Sequence, residues 1–219
     1  MKISVPAAKL ALLSGTIALA ALFSLHFLSP EFNPSFRMVS EYALGKYEFV
    51  LTTFFFAWAL SAFALFFAIR SQIKTLGGKI GLFFLLLAGV GMAMGGLFDV
   101  SHPLHGAAFG LGVPGLPIAA VLITLSLVRQ QGWDKHKKVL LWTANLTWIS
   151  LILMAVTMFL FISSFTQNGG VIDTTPRVEL TLPEGTIAIV GWFNRLLVVT
   201  YIVWVIKTAW VALKLKGKK

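Results

Sequence analysis

The stretch Asp99-Val-Ser101-His102-Pro103-Leu-His105 places one carboxylate and two imidazoles within seven residues. Asp99, His102 and His105 together could hold a divalent metal through oxygen and nitrogen, or use a neutral imidazole as a general base. The plainer alternative is that they cap helix ends and form a turn around Pro103. His26 could join the same layer and, with His102 or His105, supply an axial pair to haem. His136 sits in a basic segment and reads as solvated.

Arg195, in Gly191-Trp192-Phe193-Asn194-Arg195, is the second candidate. It falls inside an apolar run, where an arginine costs about 2.5–3.5 kcal/mol on the mild insertion scale. It therefore needs a carboxylate, a wet cavity or an anionic ligand. Glu41 and Asp99 are the carboxylates placed to serve it, either as an ion pair or as supports for an anion clamp, which the planar guanidinium suits. A third group is small: Gly89, Gly91, Gly95 and Gly96 on one run, and Gly106, Gly110, Gly112 and Gly115 with Pro114 and Pro117 on the next. These residues either bring two helices close together or break one beside His105.

These residues need a scaffold, and composition names its solvent. Of 219 residues, 58% are hydrophobic and 12% charged, about half the charged share of an ordinary soluble domain. Six runs reach bilayer-spanning length: 10–28, 49–69, 80–98, 107–128, 139–164 and 187–207. The expectation is one all-α, polytopic transmembrane domain of six helices. The first run continues well past any small-residue cleavage site, so it reads as a retained helix and not a leader. The chain has no cysteine, which excludes disulfides, iron–sulfur clusters and thiol chemistry.

Charge sets the orientation. Fourteen of the eighteen lysines and arginines lie in the N-terminus, the 70–79 and 129–138 connections and the C-terminal tail. The positive-inside rule then puts both termini in the cytoplasm. The net charge of +10 is explained by loops facing anionic lipid head groups, with no need for nucleic acid. Seven of the eight acidic residues fall on the other side: Glu31, Glu41, Glu48, Asp99, Asp173, Glu179 and Glu184. The longer connections, 29–48 and 166–186, lie there as well, and long loops on a rigid scaffold often carry function. The second contains Asn168-Gly169-Gly170 and then alternates polar and apolar over 177–182, a short strand or hairpin pattern. Thr143, Asn145, Thr147 and Ser150 on the fifth run are expected to bond between helices. Trp142, Trp148, Trp192, Trp204 and Trp210 read as interfacial anchors and core.

Several of these motifs resemble a known family. Arg37-Met-Val-Ser40-Glu41-Tyr42-Ala43-Leu-Gly45 is similar to the Arg-x-x-Ser-Glu-Tyr-Ala segment after the first helix in the domain-of-unknown-function family numbered 998. The Gly95-Gly96-Leu97-Phe98-Asp99 exit of the third run, Leu104-His105-Gly106, and the Gly191-x-Phe193-x-Arg195 entry of the sixth also resemble it. Asn194 stands where a glutamate is expected before the arginine, leaving Arg195 to find an acid elsewhere, such as Glu41. The resemblance implies a six-helix protein of a prokaryotic cell membrane with no settled activity.

The residues and the resemblance select the same set: Ser40, Glu41, Asp99, His105 and Arg195. The leading expectation is an outer-leaflet cavity for a lipid head group or small anion. Arg195 is its clamp, Glu41 and Asp99 position that clamp, and His105 touches the ligand. The alternatives are a membrane-embedded metal enzyme using Asp99, His102 and His105, and a structural or accessory subunit. No cofactor is required; a divalent metal or haem are the ones these residues could take. Membrane lipids are the expected partners.

Overall fold

In lipid every backbone N–H and C=O must be satisfied within the chain, so the apolar runs have to be helices. The structure, a computed structural model, describes residues 3–171, 175, 177–178 and 180–216. Its long helices are α1 (Val5–Leu28), α2 (Glu48–Ile69), α3 (Leu76–Leu97), α4 (His105–Leu127), α5 (Lys137–Gln167) and α6 (Val190–Lys216). All six are long and apolar enough to cross a membrane, as expected for a multi-pass protein. Each packs on the next and α6 returns to α1; α6 also reaches α2 and α4 and is the most buried of the six. The six crossings leave the 29–47, 98–104 and 168–189 connections at one end, here called the acidic end. The start of α1 and the end of α6 lie at the other, basic end.

Several boundaries differ from the sequence reading: α1 already starts at Val5, α3 at Leu76, and both ends of α6 move. Helix α6 starts at Val190, not 187, and the Ile187 N–H ahead of it is held by Ser164 Oγ at 2.9 Å. It also runs on to Lys216, since lysines are compatible with helix and suit its C-terminal dipole. The alternation over 177–182 forms no strand among the described residues, which include no sheet edge for it to pair with. Asp173 and Glu179 lie outside the described residues.

Small residues set how closely the helices approach. A Cβ at Gly91 would meet Gly112 Cα at 2.7 Å and Ala108 O at 2.8 Å, so the backbones of α3 and α4 touch there. Gly95 and Gly89 turn to α2 instead, under the rings of Phe55 and Phe63. The Gly91-x-x-x-Gly95 pair therefore serves two neighbours and not one. Gly106 and Gly110 have open space around them and no packing duty of this kind.

Helix α4 runs unbroken through Pro114 and Pro117. Proline at 117 cannot donate to the carbonyl four residues back, Val113 O. The Tyr201 hydroxyl from α6 supplies the missing donor at 2.7 Å. Tyr201→Phe should therefore cost about 1 kcal/mol of stability. In a Pro117→Ala background, where the helix can make its own bond, that cost should shrink. Paired thermal unfolding of the four proteins reads the difference, and an unchanged cost of Tyr201→Phe would contradict this role.

Most polar residues on α5 do not bond between helices. Thr143 and Thr147 bond back to carbonyls of their own helix, and Asn145 Oδ1 accepts from Trp148 Nε1. A hydroxyl's shortest route to an acceptor in a helix is the preceding turn. Ser150 is the exception, meeting Thr200 of α6 at 2.8 Å. Trp204 belongs to the core, fully buried with Nε1 on Thr124 Oγ1 at 3.0 Å. Trp142, Trp148, Trp192 and Trp210 are exposed, as interfacial anchors would be.

Candidate functional site

The 29–47 connection is anchored before it is functional. Phe32 is buried under Gly45, where a Cβ would stand 2.8 Å from its ring. At Gly191 on α6, the connection lies directly on the helix backbone. Gly191 N donates to Ser35 O at 2.8 Å, and a Cβ at 191 would meet Arg37 O at 2.7 Å and Phe36 N at 2.9 Å. Three residues on, Asn194 Oδ1 accepts the Val39 N–H at 2.9 Å and so caps the 3₁₀ helix Val39–Leu44. An amide does two jobs there: its Nδ2 faces Met154 Sδ at 3.7 Å. A glutamate at 194 could supply only the acceptor.

Arg195 lies five residues into α6, about 7.5 Å along the axis at 1.5 Å per residue. It is 5% exposed and bonded to four groups. Its Nε donates to His26 Nε2 at 2.9 Å, and its Nη1 to Arg37 O at 2.6 Å and Gly191 O at 3.0 Å. Its Nη2 donates to the Tyr42 hydroxyl at 3.0 Å. None of the four is a carboxylate. The sequence reading paired this arginine with Glu41; the structure gives that carboxylate to Arg37 in an ion pair. The i,i+4 spacing of Arg37 and Glu41 was a signal for it. Asp99 is also not a partner: it is exposed, with Oδ1 accepting the Ser101 N–H at 2.8 Å.

His26, which the sequence offered as a partner for His102 or His105, instead serves this network. Arg195 Nε can only donate and Leu22 O can only accept, the latter at 2.9 Å from Nδ1. The ring must therefore carry its proton on Nδ1 and present a lone pair at Nε2. Tyr42, fully buried, also receives the Arg195 guanidinium over its ring at 5.5 Å. α1, the 29–47 connection and α6 are thus joined at one guanidinium.

The surface above this network is a cleft of about 420 Å³ at the acidic end. Among the described residues, Arg37, Glu41, Arg177, Ser40, Thr175 and His105 supply its polar lining; Phe161, Ile162 and Phe165 are among its apolar lining. Arg37 is 3% exposed, its Nη2 donating to Arg177 O and its guanidinium over the Phe32 ring at 5.2 Å. Burial pushes the Glu41 carboxyl above the usual carboxylate range, against the opposing pull of the Arg37 guanidinium. His105 Nδ1 donates to Phe98 O at 2.9 Å, which ties the start of α4 to the end of α3 and leaves Nε2 for the cleft. A second, smaller cleft of about 80 Å³ shares Ser40 and His105 with the first and is otherwise mostly apolar.

The structure therefore brings together Ser40, Glu41 and His105 and adds Arg37 and Arg177, which the sequence reading did not select. Arg195 and Asp99 line neither cleft. Asp99, His102 and His105 do not converge. His102 is exposed, stacked on Phe98, with Nδ1 accepting the Leu104 N–H at 3.1 Å. Among the described residues, no three His, Asp or Glu side chains are grouped to hold one ion. These side chains serve the turn around Pro103, the plainer of the two readings.

No curated protein and no solved structure matches the chain. A family model described as protein of unknown function, DUF998, matches residues 12–211. That span runs from α1 to α6 and includes every residue of the Arg195 network and of both clefts, so the chain belongs to the DUF998 family of proteins of unknown function.

Proposed function

We propose that this protein binds an anion, a phosphate or carboxylate, in the cleft at the acidic end, with Arg37 and Arg177 as its cationic contacts. The observation that carries this reading is the charge of the lining: among the described residues, two arginines against one glutamate, in a cleft whose other polar side chains are the hydroxyls of Ser40 and Thr175 and the imidazole of His105. Arginine forks suit phosphate and carboxylate oxygens. The anion is the head group of a membrane lipid or a free small anion; the cleft chemistry is common to both. Arg195 supports the site from below by holding the 29–47 connection. The lysine and arginine bias of the loops supports an acidic end facing away from the cytoplasm of a prokaryotic cell.

The test is the thermal midpoint of the detergent-purified protein in inorganic phosphate, sulfate and acetate, with choline chloride at matched ionic strength as control. A rise specific to one anion supports the reading; identical midpoints in all of them overturn it.

The sign of the pH dependence follows from Glu41. As pH falls through its raised pKa, the carboxylate neutralises, Arg37 loses its counter-charge and the lining gains one positive charge. Anion affinity should rise. Glu41→Gln should bind about tenfold more tightly at neutral pH and lose most of that rise, tenfold being about 1.4 kcal/mol. Arg37, Arg177 and His105 also face the cleft, so this variant isolates the carboxylate's part. Weaker anion binding by Glu41→Gln would contradict the assignment.

A further inference from the structure

We infer that the two clefts form one bipartite site for an anionic amphiphile, with the head group in the charged cleft and the ester carbonyl and first carbons of an alkyl chain in the apolar one. The inference rests on the anion reading above and adds the nature of what the anion is attached to.

Continuity comes first. Ser40 and His105 line both clefts, so the two volumes meet at a hydroxyl and an imidazole. Beyond that junction the smaller cleft is bounded by apolar side chains of four helices, among them Phe54 and Trp58 of α2, Met92 of α3, Val113 of α4 and Leu197 of α6. At about 80 Å³ it is about half the size of an engineered cavity that takes benzene. It therefore has room for a few carbons and not for a whole chain. The rest of the chain would pass between helices into lipid.

The second observation is an unmet donor. Trp58 is 5% exposed, lines this cleft, and its indole N–H is buried without an acceptor. A buried donor left unpaired costs about 1–3 kcal/mol, and a purely hydrocarbon occupant would leave it unpaired. A carbonyl between head and chain, admitted as the side chains now closing over Nε1 part, is the acceptor it lacks. An ester-linked chain on a phosphate head carries all three parts in the required order: anion, carbonyl, methylenes.

Three soluble probes separate these parts: glycerol phosphate, its hexanoyl ester and its hexyl ether. Equilibrium titration of the full-length protein in a neutral detergent reads each affinity. The expected order is ester above ether above glycerol phosphate. The ester should exceed glycerol phosphate by about tenfold or more, from the burial of a few methylenes. Trp58→Phe, which removes the N–H and keeps an aromatic ring, should bring the ester-to-ether ratio close to one. If that variant fails to fold, Val113→Phe fills the apolar cleft and should remove the advantage of the chain over glycerol phosphate. Equal affinity for all three probes overturns the bipartite site and leaves the anion reading standing. An ester-to-ether ratio unchanged by Trp58→Phe overturns the carbonyl assignment, and no binding of any probe overturns both readings.

Discussion

Replacing Arg195 by alanine should lower the unfolding free energy of the detergent-solubilised protein by about 4 kcal/mol, at about 1 kcal/mol for each of four hydrogen bonds lost. The substitution leaves His26 Nε2, the Tyr42 hydroxyl, Arg37 O and Gly191 O without their shared donor. It also removes the junction of three segments that make few other polar contacts with one another. Lysine is a poor rescue, because a single ammonium cannot reach in-plane acceptors on three sides of a guanidinium. Exchanging Arg195 and Glu41 should not restore stability, since Glu41 is bonded to Arg37 and not to Arg195. Thermal or denaturant unfolding checks this: a loss below about 1 kcal/mol, or recovery in the charge-swapped double variant, would show that Arg195 is not the structural junction.

Gly191→Ala is the second large effect, and only one methyl group is added. The new Cβ would meet the backbone oxygens of Pro34 and Arg37 and the backbone nitrogen of Phe36. None of these is a flexible side-chain end that can swing away. The 29–47 connection must lift off α6, which breaks the Gly191 N to Ser35 O bond and strains the Arg195 Nη1 bond to Arg37 O. Overpacking of this kind costs about 1–3 kcal/mol, and the upper end is expected here because the obstruction is backbone. Anion binding should fall with it, since Arg37 and Glu41 ride on the displaced segment. Gly110→Ala is the control: with nothing near its Cβ, it should be neutral or slightly stabilising. Equal midpoints for Gly191→Ala and wild type would contradict the close packing of the connection on α6.

What was legible in the sequence follows from how each feature is encoded. The spans are encoded in runs of about twenty residues, so six helices emerge from hydropathy alone, with errors at the ends, where helix continues beyond the apolar run as at Val5 and Lys216. The importance of Arg195 was also legible, because burying an arginine is costly wherever it occurs. Its partners were not. Sequence favours a carboxylate for a buried cation, but here two carbonyls, a phenol and a neutral imidazole share the charge. Backbone acceptors carry no residue signature, so nothing in the letters could point to Arg37 O and Gly191 O.

The acidic-end cluster was half legible for the same reason. Ser40, Glu41 and His105 do meet at one cleft, whereas Asp99 turns back onto its own loop. Proximity in sequence suggested that Asp99, His102 and His105 act together. An Asx turn and a proline turn separate them, because short polar side chains in a tight connection satisfy nearby backbone donors first. The Arg37–Glu41 pair could have been anticipated from its four-residue spacing. Arg177 could not, as it reaches the cleft from a connection with no helix or strand among its described residues.

The most direct test of the anion site is calorimetric titration of glycerol phosphate into the wild-type protein and into Arg177→Ala. Alanine at 177 removes one lining guanidinium and keeps the backbone carbonyl that Arg37 uses. The account predicts saturable binding to wild type at one site, weakened about tenfold or more in the variant, as expected for loss of a charge-assisted contact of about 1.5–3 kcal/mol. No saturable binding to wild type, or equal affinity in the two proteins, would contradict it.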